Sequence, residues 1–148
     1  MGSEGTLGIF TSAVLKLFPA PKSRVTALVG VGSPHVALKL FQVLRARAGE
    51  SLTAFEYLPR FALEIVLKHA PGAMRPLAGD HEAYALVELA SPNPEADLAG
   101  LLEEVLGAGV EEGLVEDATI ASSDAQRLAL WNLRERLSDT QRHEGGSI

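Results

Sequence analysis

Hydrophobic positions along the chain switch repeatedly between the spacing of a strand and that of a helix. Residues 25 to 31 are rich in β-branched side chains and predict a first strand. Ser33 and Pro34 then supply an N-cap and a proline at the first helical position, and apolar residues at helical spacing continue as far as Gly49. The pattern therefore predicts a helix over residues 34 to 48.

The same alternation continues through the rest of the chain. Residues 52 to 58 predict a strand that Pro59 stops, residues 61 to 69 predict a short helix, and residues 71 to 81 form a loop rich in proline and glycine. The remaining predicted elements are a strand over 83 to 89, a helix over 94 to 106 ended by Gly107 and Gly109, a strand over 114 to 121, and a last helix from 124 to about 143.

Without the short helix after Pro59, the order of elements is strand, helix, strand, strand, helix, strand. That order is typical of the split βαβ, or ferredoxin-like, motif, an α+β fold in which a four-stranded antiparallel sheet carries two helices on one face. We therefore predict that the helices 34 to 48 and 94 to 106 share a face. The helix over 124 to 142 lies outside the motif and must dock elsewhere, so we predict it as an extra C-terminal helix.

The N-terminal residues have a different character. Gly2, Gly5 and Gly8 indicate a loop that leads into an apolar segment over residues 13 to 18, which we predict as a strand. Two prolines and a lysine follow at positions 19, 21 and 22 and predict a linker, so we place a domain boundary between residues 1–21 and 22–148. Glycine-rich loops can bring the backbone close to a ligand, although a flexible terminus explains the glycines equally well.

Composition and charge exclude several classes of function. The chain is 47% apolar and 22% charged, as in soluble globular proteins, and its net charge of −6 without a basic patch argues against nucleic acid as a partner. It has no cysteine, which excludes disulfides, thiolate metal sites and a cysteine nucleophile. No apolar run approaches the roughly 20 residues that span a bilayer, and no signal-peptide pattern is present. We expect a cytoplasmic protein without a transmembrane segment.

The titratable residues predict neither a metal site nor a catalytic group on this chain. The histidines at positions 35, 69, 81 and 143 lack the paired spacing of metal ligands, so we predict that all four lie on the surface or in loops. The acidic pairs at 103–104 and 111–112 are typical of a solvated helix face rather than of acid–base catalysis.

One arginine of the last predicted helix stands out. On a helical wheel Arg134 lies between Leu130 and Trp131, so its guanidinium points along an apolar stripe, with Ser138 one turn further on. A partly buried arginine needs an anion, and its planar fork suits a carboxylate. That anion is either a ligand or a glutamate of the same chain, and a side chain whose head reaches solvent is a third alternative.

Several segments together resemble a known family. The run GSEGTLGI at residues 2 to 9, followed by Thr11 and a segment ending in Pro-x-Pro, is similar to the end of the flavin domain in the vanillyl-alcohol-oxidase superfamily of FAD-linked oxidases. The runs AFEYL at 54 to 58, LWNLRE at 130 to 135 and EGG at 144 to 146 resemble the branch that contains D-lactate dehydrogenase, D-2-hydroxyglutarate dehydrogenase and the flavin subunit of glycolate oxidase.

The resemblance implies a division of the chain. Residues 1–21 would be the C-terminal end of a PCMH-type FAD-binding domain, and residues 22–148 a truncated C-terminal substrate domain. Gly5, Thr6, Gly8 and Ile9 would then line FAD. The family's catalytic and metal-binding histidines would follow position 148, so the isolated fragment is expected to be inactive, to bind FAD weakly or not at all, and to expose an apolar surface through which it could form a homodimer.

The resemblance also implies an activity. The full-length protein would oxidise a small D-2-hydroxy acid of the lactate, glycolate or 2-hydroxyglutarate type to the 2-oxo acid, with hydride transfer to FAD. Arg134 would contact the substrate carboxylate and Ser138 would assist. The alternative from the residues alone is a free-standing ferredoxin-like module that binds a small ligand or self-associates without catalysis.

Overall fold

The computed structural model describes residue 2 and residues 4–145 and contains four strands and five α-helices. In chain order these are β1 (Ser23–Val31), α1 (Pro34–Ala48), β2 (Leu52–Pro59), α2 (Arg60–His69), β3 (Ala83–Ser91), α3 (Leu98–Glu111), β4 (Asp117–Ile120), α4 (Asp124–Glu135) and α5 (Leu137–Thr140). Short 3-10 turns, Gly49–Ser51 and Gln141–His143, follow α1 and α5.

The four strands form one antiparallel sheet in the order β2-β3-β1-β4. The central pair, β1 and β3, runs from Ser23 opposite Ser91 to Val31 opposite Ala83 without interruption. β2 pairs with the outer side of β3, and β4 with the outer side of β1. This topology confirms the predicted ferredoxin-like fold.

The first face of the sheet carries the helices that the motif requires. Alternate residues of β1, from Val25 to Val31, are buried together with Leu40 of α1 and Leu102 of α3 in one hydrophobic cluster. Because side chains alternate across a strand, a single face of β1 supplies all of these contacts. The prediction that α1 and α3 share a face is therefore confirmed.

The second face is covered as well, by α2 and by the C-terminal helix. Leu28 of β1 and Leu86 of β3 are fully buried there, in a cluster with Leu63 of α2 and with Leu130 and Leu133 of α4. The predicted extra helix thus docks opposite α1 and α3. The short helix α2, which does not belong to the motif, shares that face, so the sheet lies between two layers of helices.

Capping explains one predicted boundary and corrects another. Ser33 caps α1 as expected, since its side chain accepts a hydrogen bond from the N–H of Val36. The third helix does not begin at residue 94, because its N-cap is Asp97, whose side chain accepts from the N–H of Gly100. The last helix is also interrupted: α4 ends at Glu135 and α5 is a separate short turn.

Gly107 and Gly109 do not end the third helix, contrary to the prediction. α3 continues to Glu111, and the residue with positive φ that follows it is Gly113, at +70°. Gly109 is instead a packing position, because a Cβ there would lie 2.8 Å from Cγ2 of Val115. Tertiary contact, rather than helix termination, accounts for this glycine.

Alanine substitutions at these two glycines should have opposite effects on stability. Nothing lies within 4 Å of a Cβ built on Gly107, so Gly107→Ala should raise the free energy of unfolding by about 0.5–1 kcal/mol. Gly109→Ala overpacks against buried Val115 and should lower it by about 1–3 kcal/mol. Urea unfolding of the 148-residue chain measures both, and equal shifts would contradict the packing role of Gly109.

The apolar segment at residues 13 to 18 is not a strand. Residues 7 to 21 have no regular secondary structure and lie outside the sheet, and none of the four strands in the part of the chain that the structure describes pairs with them. Val14 and Phe18 are both strongly exposed. Within the described residues, no helix is both long and apolar enough to cross a membrane.

Candidate functional site

One stripe of α4 carries three polar or aromatic side chains toward the second face of the sheet. Arg127, Trp131 and Arg134 are spaced by four and three residues, so they follow one another along the helix. The helix is positioned by its N-cap, Ser123, whose side chain accepts from the N–H of Gln126. Each residue of the stripe meets a carboxylate of the sheet.

Glu88 of β3 receives the first two residues of the stripe. Its Oε2 accepts hydrogen bonds from Nε1 of Trp131 at 2.8 Å and from the hydroxyl of Thr26 at 2.9 Å, and Nη1 of Arg127 lies 3.8 Å away. The side chain of Glu88 is only 13% exposed. A carboxylate at such a depth needs these donors, so the network fixes α4 against β1 and β3.

Arg134, in the last turn of α4, meets Glu56 of the edge strand β2. Its Nε donates a hydrogen bond to Oε2 of Glu56 at 3.1 Å. The two side chains are 44% and 39% exposed. The pair therefore lies at the rim of the second face, open to solvent, while the Glu88 network lies deeper.

A glutamate of the same chain is one of the partners that the sequence allows for Arg134, and the structure shows this ion pair. Ser138 follows four residues later in α5, is exposed, and makes no side-chain hydrogen bond within the described part of the chain. Arg136 between them keeps right-handed helical dihedrals, so the two side chains are about one turn apart. Their role in substrate binding remains a prediction.

The other arginine of this region points away from the Arg134 site. Nη1 of Arg136 donates to the carbonyl of Pro71 at 2.9 Å, beside a cavity of about 290 Å³ between α2, the loop after it and α4. The sequence predicts that Arg136 and Arg127 both lie on other faces than Arg134 and are solvated. This holds for Arg136, which is exposed, but is wrong for Arg127, whose side chain is only 19% exposed and faces Glu88 on the same stripe as Arg134.

The predicted flavin-binding residues lie in an exposed N-terminal segment. Gly5 has a φ of +80°, Gly8 has open space where a Cβ would be, and Ile9 is 91% exposed. Ser3 of the same run, like Gly146 of the EGG run, lies outside the described residues. The contact of Gly5, Thr6, Gly8 and Ile9 with FAD stays a prediction.

One histidine lies in a loop, as predicted, but is not exposed. His81 is in a loop but is buried, and its Nδ1 lies 2.7 Å from Oε2 of Glu116. Its ring occupies the space beside Gly30, where a Cβ would come within 2.5 Å of it. Within residues 4–145, no group of three or more histidine or acidic side chains could hold a metal ion.

A cluster at the end of α5 ties the C-terminal turn to α2. Glu144 accepts from Nζ of Lys68 and lies 2.6 Å from Nε2 of His69, and the rings of His69 and His143 are stacked. The Lys68 hydrogen bond, followed by that of His69, lowers the pKa of the Glu144 carboxyl from 4.5 to about 2.

This lowered pKa predicts an acid-sensitive contact. Because the folded pKa is below the ordinary value, the contact contributes fully above about pH 4.5 and is lost as the pH falls toward 2. NMR titration of the Glu144 carboxyl should give a midpoint well below 4, and Lys68→Ala should raise it. Lys39→Ala, at an exposed position of α1, is the control. A Glu144 midpoint near 4.5 in the unsubstituted chain would contradict the contact.

Comparison with known proteins places the chain in a family. The sequence model of the family described as FAD linked oxidases, C-terminal domain, matches residues 20–147. This chain belongs to the FAD linked oxidase C-terminal domain family. The matched range includes the whole sheet, Glu56 and the stripe on α4.

Individual relatives of this FAD linked oxidase domain carry names of 2-hydroxy-acid dehydrogenases. D-2-hydroxyglutarate dehydrogenase of Xanthomonas citri is 37% identical over 94% of the chain, and the mitochondrial D-2-hydroxyglutarate dehydrogenase of Danio rerio is 35% identical over 98%. A Schizosaccharomyces pombe protein provisionally named mitochondrial D-lactate dehydrogenase is 32% identical over 100%. The chain spans only 28%, 27% and 28% of their respective lengths.

Glu56 and Glu88 are not among the site residues that the sequence predicts. Glu88 is a lone charge in the otherwise apolar run ALVELA, and Thr26 stands opposite it in an equally apolar strand. A charge at a buried strand position signals a paired network, and this signal was available. The identity of the helix that meets it could not be read from the strand itself.

Proposed function

We propose that the full-length protein containing this chain oxidises a small D-2-hydroxy acid to the corresponding 2-oxo acid, with FAD as the hydride acceptor. The observation that carries the proposal is an exposed arginine, Arg134, within a domain of the FAD linked oxidase family. The names of the relatives support the substrate class, since they include D-2-hydroxyglutarate and D-lactate dehydrogenases.

Arg134 would bind the carboxylate that all such substrates share. A guanidinium presents parallel N–H groups that match the two carboxylate oxygens, so one residue fixes both the position and the angle of the substrate. Ser138, about one turn further on, would add a hydroxyl to the same anion. When bound, FAD would supply the redox chemistry, and the role of this chain would be to orient the substrate.

The N-terminal segment fits contact with a cofactor through its backbone. Gly5 and Gly8 leave the space around their Cα atoms open, which allows a ligand to approach the peptide groups closely. We propose that residues 1–21 complete a flavin domain, whose surface would also cover the exposed apolar side chains of residues 7 to 18. Residues 22–148 would then form the substrate domain.

The proposed activity does not depend on the length of the substrate's carbon chain, on the final electron acceptor or on the cellular compartment of the protein. A 2-hydroxyglutarate, lactate or glycolate type of substrate satisfies the same Arg134 contact. Names of the Danio rerio and Schizosaccharomyces pombe relatives include a mitochondrial location, whereas the Xanthomonas citri name does not. A cytoplasmic location for this protein therefore stays a prediction.

A substrate panel tests the proposed activity. Full-length protein would be incubated with D- and L-lactate, glycolate, and D- and L-2-hydroxyglutarate in the presence of an artificial electron acceptor, with product analysis by mass spectrometry. We expect a 2-oxo acid from at least one D enantiomer or from glycolate, and none from the L enantiomers. Turnover of L enantiomers alone, or of no 2-hydroxy acid, would refute the proposal.

A further inference from the structure

We propose that Glu56 is a positioning residue that orients Arg134 for substrate, an inference that rests on the proposed function. Glu56 lies on β2, 78 residues before Arg134 in the sequence, and its Oε2 accepts from Nε of Arg134 at 3.1 Å. The contact joins the edge of the sheet to the last turn of α4, at the rim of the second face.

The Arg134–Glu56 ion pair is expected to contribute little to the stability of the fold. Both side chains are about 40% exposed, so water and salt screen their attraction, and ion pairs of this kind contribute little to folding. The anchoring of α4 is already provided by the deeper network around Glu88. The contact therefore matters more for the orientation of the Arg134 guanidinium than for folding.

The contact uses only one edge of the guanidinium. Arginine has five N–H groups, one on Nε and two on each terminal nitrogen. Glu56 takes the Nε proton, whereas neither terminal nitrogen of Arg134 has a hydrogen-bond partner among residues 4–145. The outer fork formed by the two terminal nitrogens remains available to a carboxylate.

Holding Nε also restricts the rotation of a flexible side chain. An arginine that is ordered before the substrate binds loses less conformational entropy on binding, and its fork is already oriented. Trp131, one turn earlier on the same stripe, is held by Glu88 and fixes the rotation of the helix itself. Glu88 thus fixes the rotation of α4, and Glu56 fixes the orientation of the Arg134 guanidinium.

The test is a set of Glu56 variants in the full-length enzyme, assayed with the D-2-hydroxy acid that it turns over best. Immobilising one side chain corresponds to roughly a two- to tenfold change in affinity, so Glu56→Ala should raise KM by about that factor and change kcat less. Glu56→Gln keeps an acceptor oxygen and should recover most of the loss. Glu103→Ala removes the same charge from an exposed position of α3 and should leave KM unchanged.

A double-mutant cycle separates this proposal from the proposed function. In an Arg134→Ala background, Glu56→Ala should have little further effect on kcat/KM, because the residue that it orients is absent. Equal effects of Glu56→Ala in both backgrounds, or a lower KM in Glu56→Ala alone, would overturn the positioning role. If Arg134→Ala itself leaves kcat/KM unchanged, the substrate-binding assignment fails instead. Melting temperatures of all variants identify any that fold poorly. If Glu56→Ala is one of them, Glu56→Leu, which also removes the acceptor oxygen but keeps the bulk of the side chain, should show the same rise in KM, and an unchanged KM would overturn the positioning role.

Discussion

Replacing Arg134 with alanine in the full-length protein is expected to lower kcat/KM for D-2-hydroxy acids by at least about tenfold. A charge-assisted hydrogen bond contributes on the order of 1.5–3 kcal/mol, and a bidentate pair also fixes the angle at which the substrate lies. Arg134→Lys should restore only part of the activity, because an ammonium keeps the charge but lacks the planar fork. Steady-state kinetics on purified variants measure both effects.

Arg136→Ala is the matched control for this prediction. It removes the same charge two residues away, on a different face, where Arg136 contacts the carbonyl of Pro71. We expect its kcat/KM to stay close to that of the parent enzyme. If the two arginine variants lose kcat/KM equally, or if Arg134→Ala lowers only the melting temperature, Arg134 is a structural partner of Glu56 and nothing more.

Replacing Leu28 with alanine should destabilise the chain by about 2–5 kcal/mol, the usual cost of removing a buried leucine side chain from a packed core. Leu28 is fully buried in the centre of the sheet, on the face that α2 and α4 cover. The loss should appear as a lower urea midpoint with an unchanged slope. This substitution tests whether the second face is a true core.

Leu38→Ala provides the comparison, since Leu38 is an exposed leucine of α1. Surface substitutions of this kind change the free energy of unfolding by less than about 0.5 kcal/mol. If Leu28→Ala were as mild as Leu38→Ala, the docking of α4 against the sheet would be wrong, and the placement of Arg134 near Glu56 would lose its basis.

Much of the fold follows from local signals in the sequence. The order of strands and helices, the Ser33 cap and the shared face of α1 and α3 depend on periodicity and capping, which are local. The errors occur where distant residues decide the outcome. Gly109 looks like a helix terminator until Val115 packs against it, and residues 13 to 18 look like a strand although no neighbouring strand pairs with them.

The candidate site was only half predictable for the same reason. The helical wheel identifies Arg134 and requires an anion near it, but the glutamate that meets it comes from β2, far away in sequence. Glu56 and Glu88 can be assigned to one face of the sheet only when the register of the paired strands is known. That register depends on the whole sheet. His81 is similarly buried by contacts with residues of β1 and with Glu116.

The most direct test of the account is reduction of the bound flavin by substrate in the full-length protein without oxygen. We predict that a D-2-hydroxy acid bleaches the oxidised flavin absorbance in a saturable way, that the L enantiomer does not, and that Arg134→Ala shifts half-saturation to at least about tenfold higher concentration. A flavin that neither a D-2-hydroxy acid nor glycolate reduces, or one that both enantiomers reduce equally with and without Arg134, would contradict it.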